Sequence, residues 1–228
     1  MSLADVMLRY LRERYPTRRF VPLALVLAAV GVLASPVTTG LSMAFARATA
    51  FAYVTVLLLR VWDDLEDRAA DAAVHPQRVT VTSPATMPFY VLQLVCAVLA
   101  IVVLANGPEW RGRMIALATG CIVLAAWYGI RRAVSPPPML NAHVLLLKYP
   151  AIALLAAPSR VNVETAPIFA LVYLCLCVFE SRDDPVLRGS RTAVRVAIAE
   201  CALMVPLLWL VFTNESTPYS HIVRGMLP

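Results

Sequence analysis

Seven apolar blocks alternate with short polar segments along the chain, at 21–37, 41–62, 87–105, 114–130, 140–157, 165–180 and 192–213. Most approach the roughly 20 residues that a bilayer-spanning helix requires. Runs so long and so poor in charge are not amphipathic surface helices. The pattern predicts an all-α polytopic membrane bundle of about seven transmembrane helices. The block 140–157 departs furthest from that template, because it holds Asn141, His143, Lys148 and Pro150. Ahead of the blocks, MSLADVMLRYLRERYPTRRF is rich in arginine, and helical spacing puts Leu3, Met7, Tyr10 and Leu11 on one side. That is the pattern of a short helix lying in the membrane interface, with a solvated basic tail as the alternative. It lacks the apolar run and small-residue cleavage site of a secretory signal. Three parts follow: an N-terminal cytoplasmic or interfacial segment, 1–20, a transmembrane domain, 21–213, and a C-terminal tail, 214–228.

Composition strengthens the membrane reading. The 228 residues are 60% hydrophobic, with a mean hydropathy of +0.73, whereas soluble domains are about half apolar. Charge adds an orientation. With the N-terminus in the cytoplasm and the blocks alternating, the inner segments carry thirteen of the twenty basic residues and the outer segments four. This bias follows the positive-inside rule and places the C-terminus on the opposite side of a cell membrane. The net charge of +6 is then a topology signal, and no nucleic-acid motif accompanies it. The five cysteines fall in apolar blocks without a CxxC pair, and His75, His143 and His221 are scattered. They read as buried small residues and isolated imidazoles, with no disulfide or zinc framework.

The second block ends in WDDLEDRAADAAVHPQRV. If the helix continues through position 71, Asp64, Asp67 and Asp71 fall at i, i+3 and i+7 on one face, with Asp63 at its edge and Glu66 pointing away. Carboxylates so close raise one another's pKa where water is scarce. Arg60, one turn back, can compensate one of them. A hard divalent cation with oxygen ligands, such as Mg2+, is the natural complement to the rest. The sixth block ends in LCLCVFESRDDPVLRG, with Glu180, Asp183 and Asp184 at i, i+3 and i+4 on a second acidic face at the same side. Ionisable groups at membrane depth are functional candidates. Groups suited to a phosphate lie between the clusters: Arg78 in HPQR, then Tyr128, Arg131, Arg132 and Asn141 around YGIRRAVSPPPMLN. Lys148, the chain's one lysine, falls inside a block and needs a cavity or a carboxylate partner.

These motifs resemble the UbiA superfamily of intramembrane prenyltransferases. DDLEDRAAD is similar to the family's NDxxDxxxD motif, with Asp63 in place of the asparagine, and HPQRV resembles the continuation whose arginine, here Arg78, faces phosphate. YGIRR followed by Asn141 resembles the stretch before the family's fifth helix. FESRDDPVLRG resembles its second DxxxD motif, with Glu180 replacing the first aspartate and Asp184 matching the last. The similarity runs in order from about position 8 to about position 200. It departs in having seven blocks where the family has nine helices, and in reading VTVTS where the family has PSG.

The resemblance implies a helical ring around a central cavity. Asp63, Asp64, Asp67, Asp71, Glu180, Asp183 and Asp184 would hold Mg2+, with Asp64, Asp67, Asp71 and Asp184 central to the chemistry. Arg78, Tyr128, Arg131, Arg132, Asn141 and Lys148 would bind an isoprenyl diphosphate. Trp62, Trp127, Tyr128, Tyr173 and Phe179 are candidates to face a carbocation. Three functions stand side by side: transfer of the prenyl group to an unidentified acceptor, internal capture by a terpene cyclase of the same type, and a non-catalytic membrane protein. The expected site joins both clusters across a gap on the order of 10 Å, with Arg78 at its rim.

Overall fold

Apolar runs separated by proline and charge fold as helices joined by short turns. The computed structural model describes residues 3–35, 40–107, 109–184 and 186–213; the tail 214–228 and the end of the first block lie outside them. The described residues form eleven α-helices and no strand. Among the described residues six spans are long and apolar enough to cross a bilayer, and the number is seven if the bent N-terminal pair is one broken span. The chain is an all-helical, multi-pass membrane protein.

The N-terminal pair is α1, Leu3–Arg14, and α2, Thr17–Leu33, bent by 72°. Pro16, extended at φ −64° and ψ 125°, breaks them, since a proline inside a helix removes a hydrogen bond and clashes with the preceding turn. Helix α2 therefore starts at Thr17, four residues ahead of the apolar block at 21–37. Helix α1 is neither a free tail nor a lone interfacial helix. Val6 and Tyr10 are buried, and Tyr10 packs edge-on against Phe89, ring centroids 5.6 Å apart.

Helix α3, Leu41–Glu66, is central and packs against α2, α6 (Met87–Ala105) and α9 (Lys148–Ala156). It stops at Asp67, and α4, Arg68–Val74, follows directly after this one-residue break. A single helix through position 71 is thus corrected. Glu66, Asp67 and Arg68 are drawn to separate partners, Arg132, Arg131 and the Ser83 carbonyl. A short α5, Val79–Thr82, leads into α6, whose bounds match the block read from the sequence. Helix α7, Trp110–Val134, overruns its block at both ends, where the flanking arginines sit. The fifth span is α8, Pro138–Leu146, followed after Leu147 by α9. Helices α10, Ala166–Asp183, and α11, Arg191–Thr213, pair at the edge of the bundle.

Small residues allow the closest approach. A Cβ added at Gly31 of α2 would stand 2.4 Å from the Ala153 carbonyl oxygen of α9, so those backbones touch where only glycine fits. In lipid, such contact replaces the hydrophobic drive that water supplies elsewhere. The outer faces of α6, α7 and α11 expose Val95, Val98, Ile101, Ile115, Ile122, Leu203 and Trp209, as a lipid-facing surface must.

Candidate functional site

Three aspartates stand at the end of α3, and successive helical positions aim about 100° apart. Asp63 and Asp67, four positions apart, therefore share one face, and Asp64 points away from it. Asp63 accepts hydrogen bonds from the Tyr128 hydroxyl and from Lys148 Nζ. Asp64 turns away and is only 2% exposed. Arg14 donates to its two oxygens at 3.1 and 2.6 Å, the Tyr10 hydroxyl donates at 2.9 Å, and Arg60 stands 3.4 Å off. Asp67 pairs with Arg131, and Asp71 pairs with Arg78. Asp64, Asp67 and Asp71 do not share one face. The local shortage of positive charge read from the sequence does not hold in the fold, because Arg14, Arg78, Arg131 and Lys148 reach the cluster from other elements.

A cavity of about 480 Å³ opens between the helix ends. Asp63 and Asp67 line it from α3 and its cap, and Glu180 and Asp184 line it from the end of α10. Arg60, Arg131, Asn141, Lys148 and Tyr149 complete the polar wall. Both acidic motifs thus meet in one cavity, although more than a hundred positions separate them. Ser135, at φ 48°, and the prolines after it turn the chain from α7 into α8, which brings Arg131 and Asn141 to the same rim. The Glu180 carboxylate makes no hydrogen bond or ion pair among the described residues, although its backbone carbonyl accepts from Asp184 N at 2.9 Å. Burial pushes the Asp67 carboxyl up from its ordinary range, and Arg131 draws it part of the way back.

Arg78, Arg132 and Asp183, like Asp64 and Asp71, do not line this cavity. Arg78 is occupied by Asp71 beneath α1, where Val79 N also donates to Glu13 at 3.1 Å, so it is not at the rim of the gap. Asp183 is exposed, and Asp184 accepts from Val186 N at 2.8 Å. Arg132 forms an outer pair with Glu66 at 2.8 Å. Tyr128 is buried and reaches the cavity through Asp63. Asn141 accepts from Trp127 Nε1 at 3.1 Å. Among the aromatic candidates, Phe179 is 62% exposed and points out of the bundle. Trp62 packs on Tyr128, ring centroids 5.8 Å apart, and Tyr173 donates to the His143 carbonyl at 3.2 Å. Tyr149, which the sequence did not single out, is the aromatic residue lining the cavity. Its neighbour Lys148 is the one local hint.

A second, apolar cavity of about 200 Å³ lies deeper, between α3, α7 and the fifth span. Leu59, Leu117, Leu124, Trp127, Val144 and Ile152 line it, and Lys148 borders it as well as the polar cavity. The arrangement places a polar chamber with four carboxylates and three cationic side chains beside an apolar one. It suits a ligand with an anionic head and an oily tail. No protein-family model, curated protein or solved structure matches the chain.

Proposed function

We propose that this chain is a magnesium-dependent intramembrane prenyltransferase of the UbiA kind, acting on an isoprenyl diphosphate. The observation that carries the reading is the shared chamber: Asp63, Asp67, Glu180 and Asp184 converge with Arg60, Arg131 and Lys148, and an apolar cavity begins at Lys148. The donor set fits the metal. It consists of carboxylate oxygens from two helices, the hard ligands that Mg2+ takes together with substrate phosphates, and the Glu180 carboxylate makes no hydrogen bond or ion pair among the described residues. Asp63 and Asp67 on one wall and Glu180 and Asp184 on the other would hold metal together with the substrate's phosphate oxygens, since the carboxylates line one cavity without clustering tightly enough to share an ion by themselves. Magnesium bound there supplies neutralisation of the diphosphate leaving group.

The chain's own groups supply the rest. Arg131 and Arg60 offer forked donors to phosphate oxygens. Lys148, held by Asp63, stands where head and tail of such a ligand join. The apolar chamber orients the prenyl chain and keeps water from the allylic carbon. Tyr149 and Trp127 present aromatic faces, which stabilise positive charge. Membrane sidedness belongs to the same reading: the acidic end of the bundle faces the cytoplasm, from which a diphosphate arrives.

The test is product analysis. Membranes containing the protein are incubated with isoprenyl diphosphates of several lengths and Mg2+, with and without candidate acceptors, and products are identified by mass spectrometry. Substrate consumption is expected with Mg2+ and is lost on chelation. A product formed only with acceptor supports the transferase, and an acceptor-free terpene assigns the cyclase chemistry. No consumption of any isoprenyl diphosphate overturns both.

A further inference from the structure

Behind α8 lies a second cluster, outside the acidic chamber. His143 of α8, Cys177 of α10 and Glu200 of α11 bring one ligand atom each to within 4.8 Å of one another. Cys177 and Glu200 are 1% and 4% exposed. Glu200 and Ala193 are the buried residues of α11, so this helix, otherwise apolar on its lipid face, turns a carboxylate inward. A carboxylate so placed requires a cation or a proton.

The hydrogen bonds define what is missing. His143 Nδ1 lies 2.8 Å from the Met139 carbonyl oxygen. A carbonyl only accepts, so Nδ1 carries the proton. In the neutral ring Nε2 is then a bare lone pair, and it faces Glu200 Oε1 at 2.6 Å. With that tautomer two acceptors would stand against each other, so the contact holds either a proton, as an imidazolium–carboxylate pair, or a cation. The second oxygen, Glu200 Oε2, is buried without an N–H or O–H donor among the described residues, and the Cys177 thiol is the weak donor beside this carboxylate. A histidine that gives one N–H to a backbone carbonyl and turns its other nitrogen toward a cation is the usual arrangement of a metal ligand.

We propose that His143 Nε2, Cys177 Sγ and Glu200 form a transition-metal site, with Zn2+ its best-suited ion. Imidazole, thiolate and carboxylate are the three donor types zinc accepts, and three protein ligands leave a fourth position open. Tetrahedral zinc ligands stand roughly 3.3 Å apart, given bonds near 2.0–2.2 Å, so uptake separates His143 from Glu200 by about 0.7 Å. Uptake also releases the Cys177 thiol proton and any proton shared between His143 and Glu200. The site lies about 9 Å inside the end of α10, from the six-residue offset of Cys177 to Asp183 at 1.5 Å per residue. His143 keeps 22% of its side chain exposed, which provides access. The ion would fasten α11 to the α8 and α10 wall of the bundle.

The experiment uses the full chain in detergent, without a polyhistidine tag. After chelator stripping and zinc loading, about one equivalent of Zn2+ is expected to survive desalting and to raise the melting temperature. Cobalt substitution should give a near-ultraviolet thiolate-to-metal band. Cys177→Ser should abolish the band, and Cys201→Ser should leave it. Glu200→Gln, nearly isosteric, should lose zinc retention with the helical circular dichroism unchanged, which covers a Cys177 variant that fails to fold. No retained zinc, or a cobalt band that survives Cys177→Ser, overturns the proposal. Neither readout involves isoprenyl diphosphate, so the result is independent of the prenyltransferase reading.

Discussion

Aspartates three positions apart in one motif meet different surroundings. Asp67 faces the cavity with part of its carboxylate open, whereas Asp64 is buried under Arg14 and Tyr10. Asp67→Asn should therefore remove most turnover while moving the melting temperature by no more than about 2 °C, as for substitutions outside a packed core. Asp64→Asn should instead destabilise by about 3 kcal/mol, the low end for breaking a buried ion pair, read as lowered thermal stability in detergent. Two variants with equal stability and equal loss of activity would contradict this division. The raised pKa of Asp67 sets a pH dependence. A carboxyl whose folded pKa lies above its ordinary value of about 4 regains its proton early as pH falls. In the metal-free protein, Mg2+ binding should accordingly begin to weaken above the ordinary carboxylate range as pH falls, measured by titration calorimetry, and Asp67→Asn should remove that dependence.

Elements record how far hydrophobic pattern alone can be read. Helix α6 has the bounds its apolar block predicted, because nothing but lipid and apolar neighbours defines it. The break at Asp67 was not legible, since it depends on Arg131 and Arg132, 64 and 66 positions away. Spacing within one helix showed that carboxylates gather at two helix ends. It could not show which of them face the cavity, because Tyr10, Arg14, Tyr128 and Lys148 decide that from other helices. The His143–Cys177–Glu200 cluster had no local signal at all, as its members come from three helices. The closest helix contact gives an element-scale prediction. Gly31→Val forces α2 away from the Ala153 backbone of α9, and overpacking costs of about 1–3 kcal/mol should lower the melting temperature by roughly 2–12 °C. An unchanged melting temperature would show that α2 and α9 do not meet as described.

At the scale of the whole molecule, the bundle has two unlike ends. One gathers Asp63, Asp67, Arg131, Lys148 and Glu180; the other holds Arg47 and Arg113 beside Gly107, and the Arg160–Glu109 pair at 2.8 Å. Cysteines introduced at Arg182 and at Val163, both exposed and at opposite ends, should label from opposite sides of the membrane with an impermeant maleimide. The arginine bias predicts that position 182 labels from the cytoplasm, and labelling of both from one side would refute the span count. The order of synthesis adds a constraint of its own. Arg14 emerges 50 positions before Asp64, so that carboxylate meets its partner as soon as its helix is made. Asp63 waits for Lys148, 85 positions later, about 4 to 17 s of translation at roughly 5–20 residues per second. Through that interval Asp63 lacks its lysine, and Arg60, one turn back in the same span, is the cation nearest to it in sequence. A translocation machinery that inserts helices one at a time must hold this one at the water-facing border until the fifth arrives.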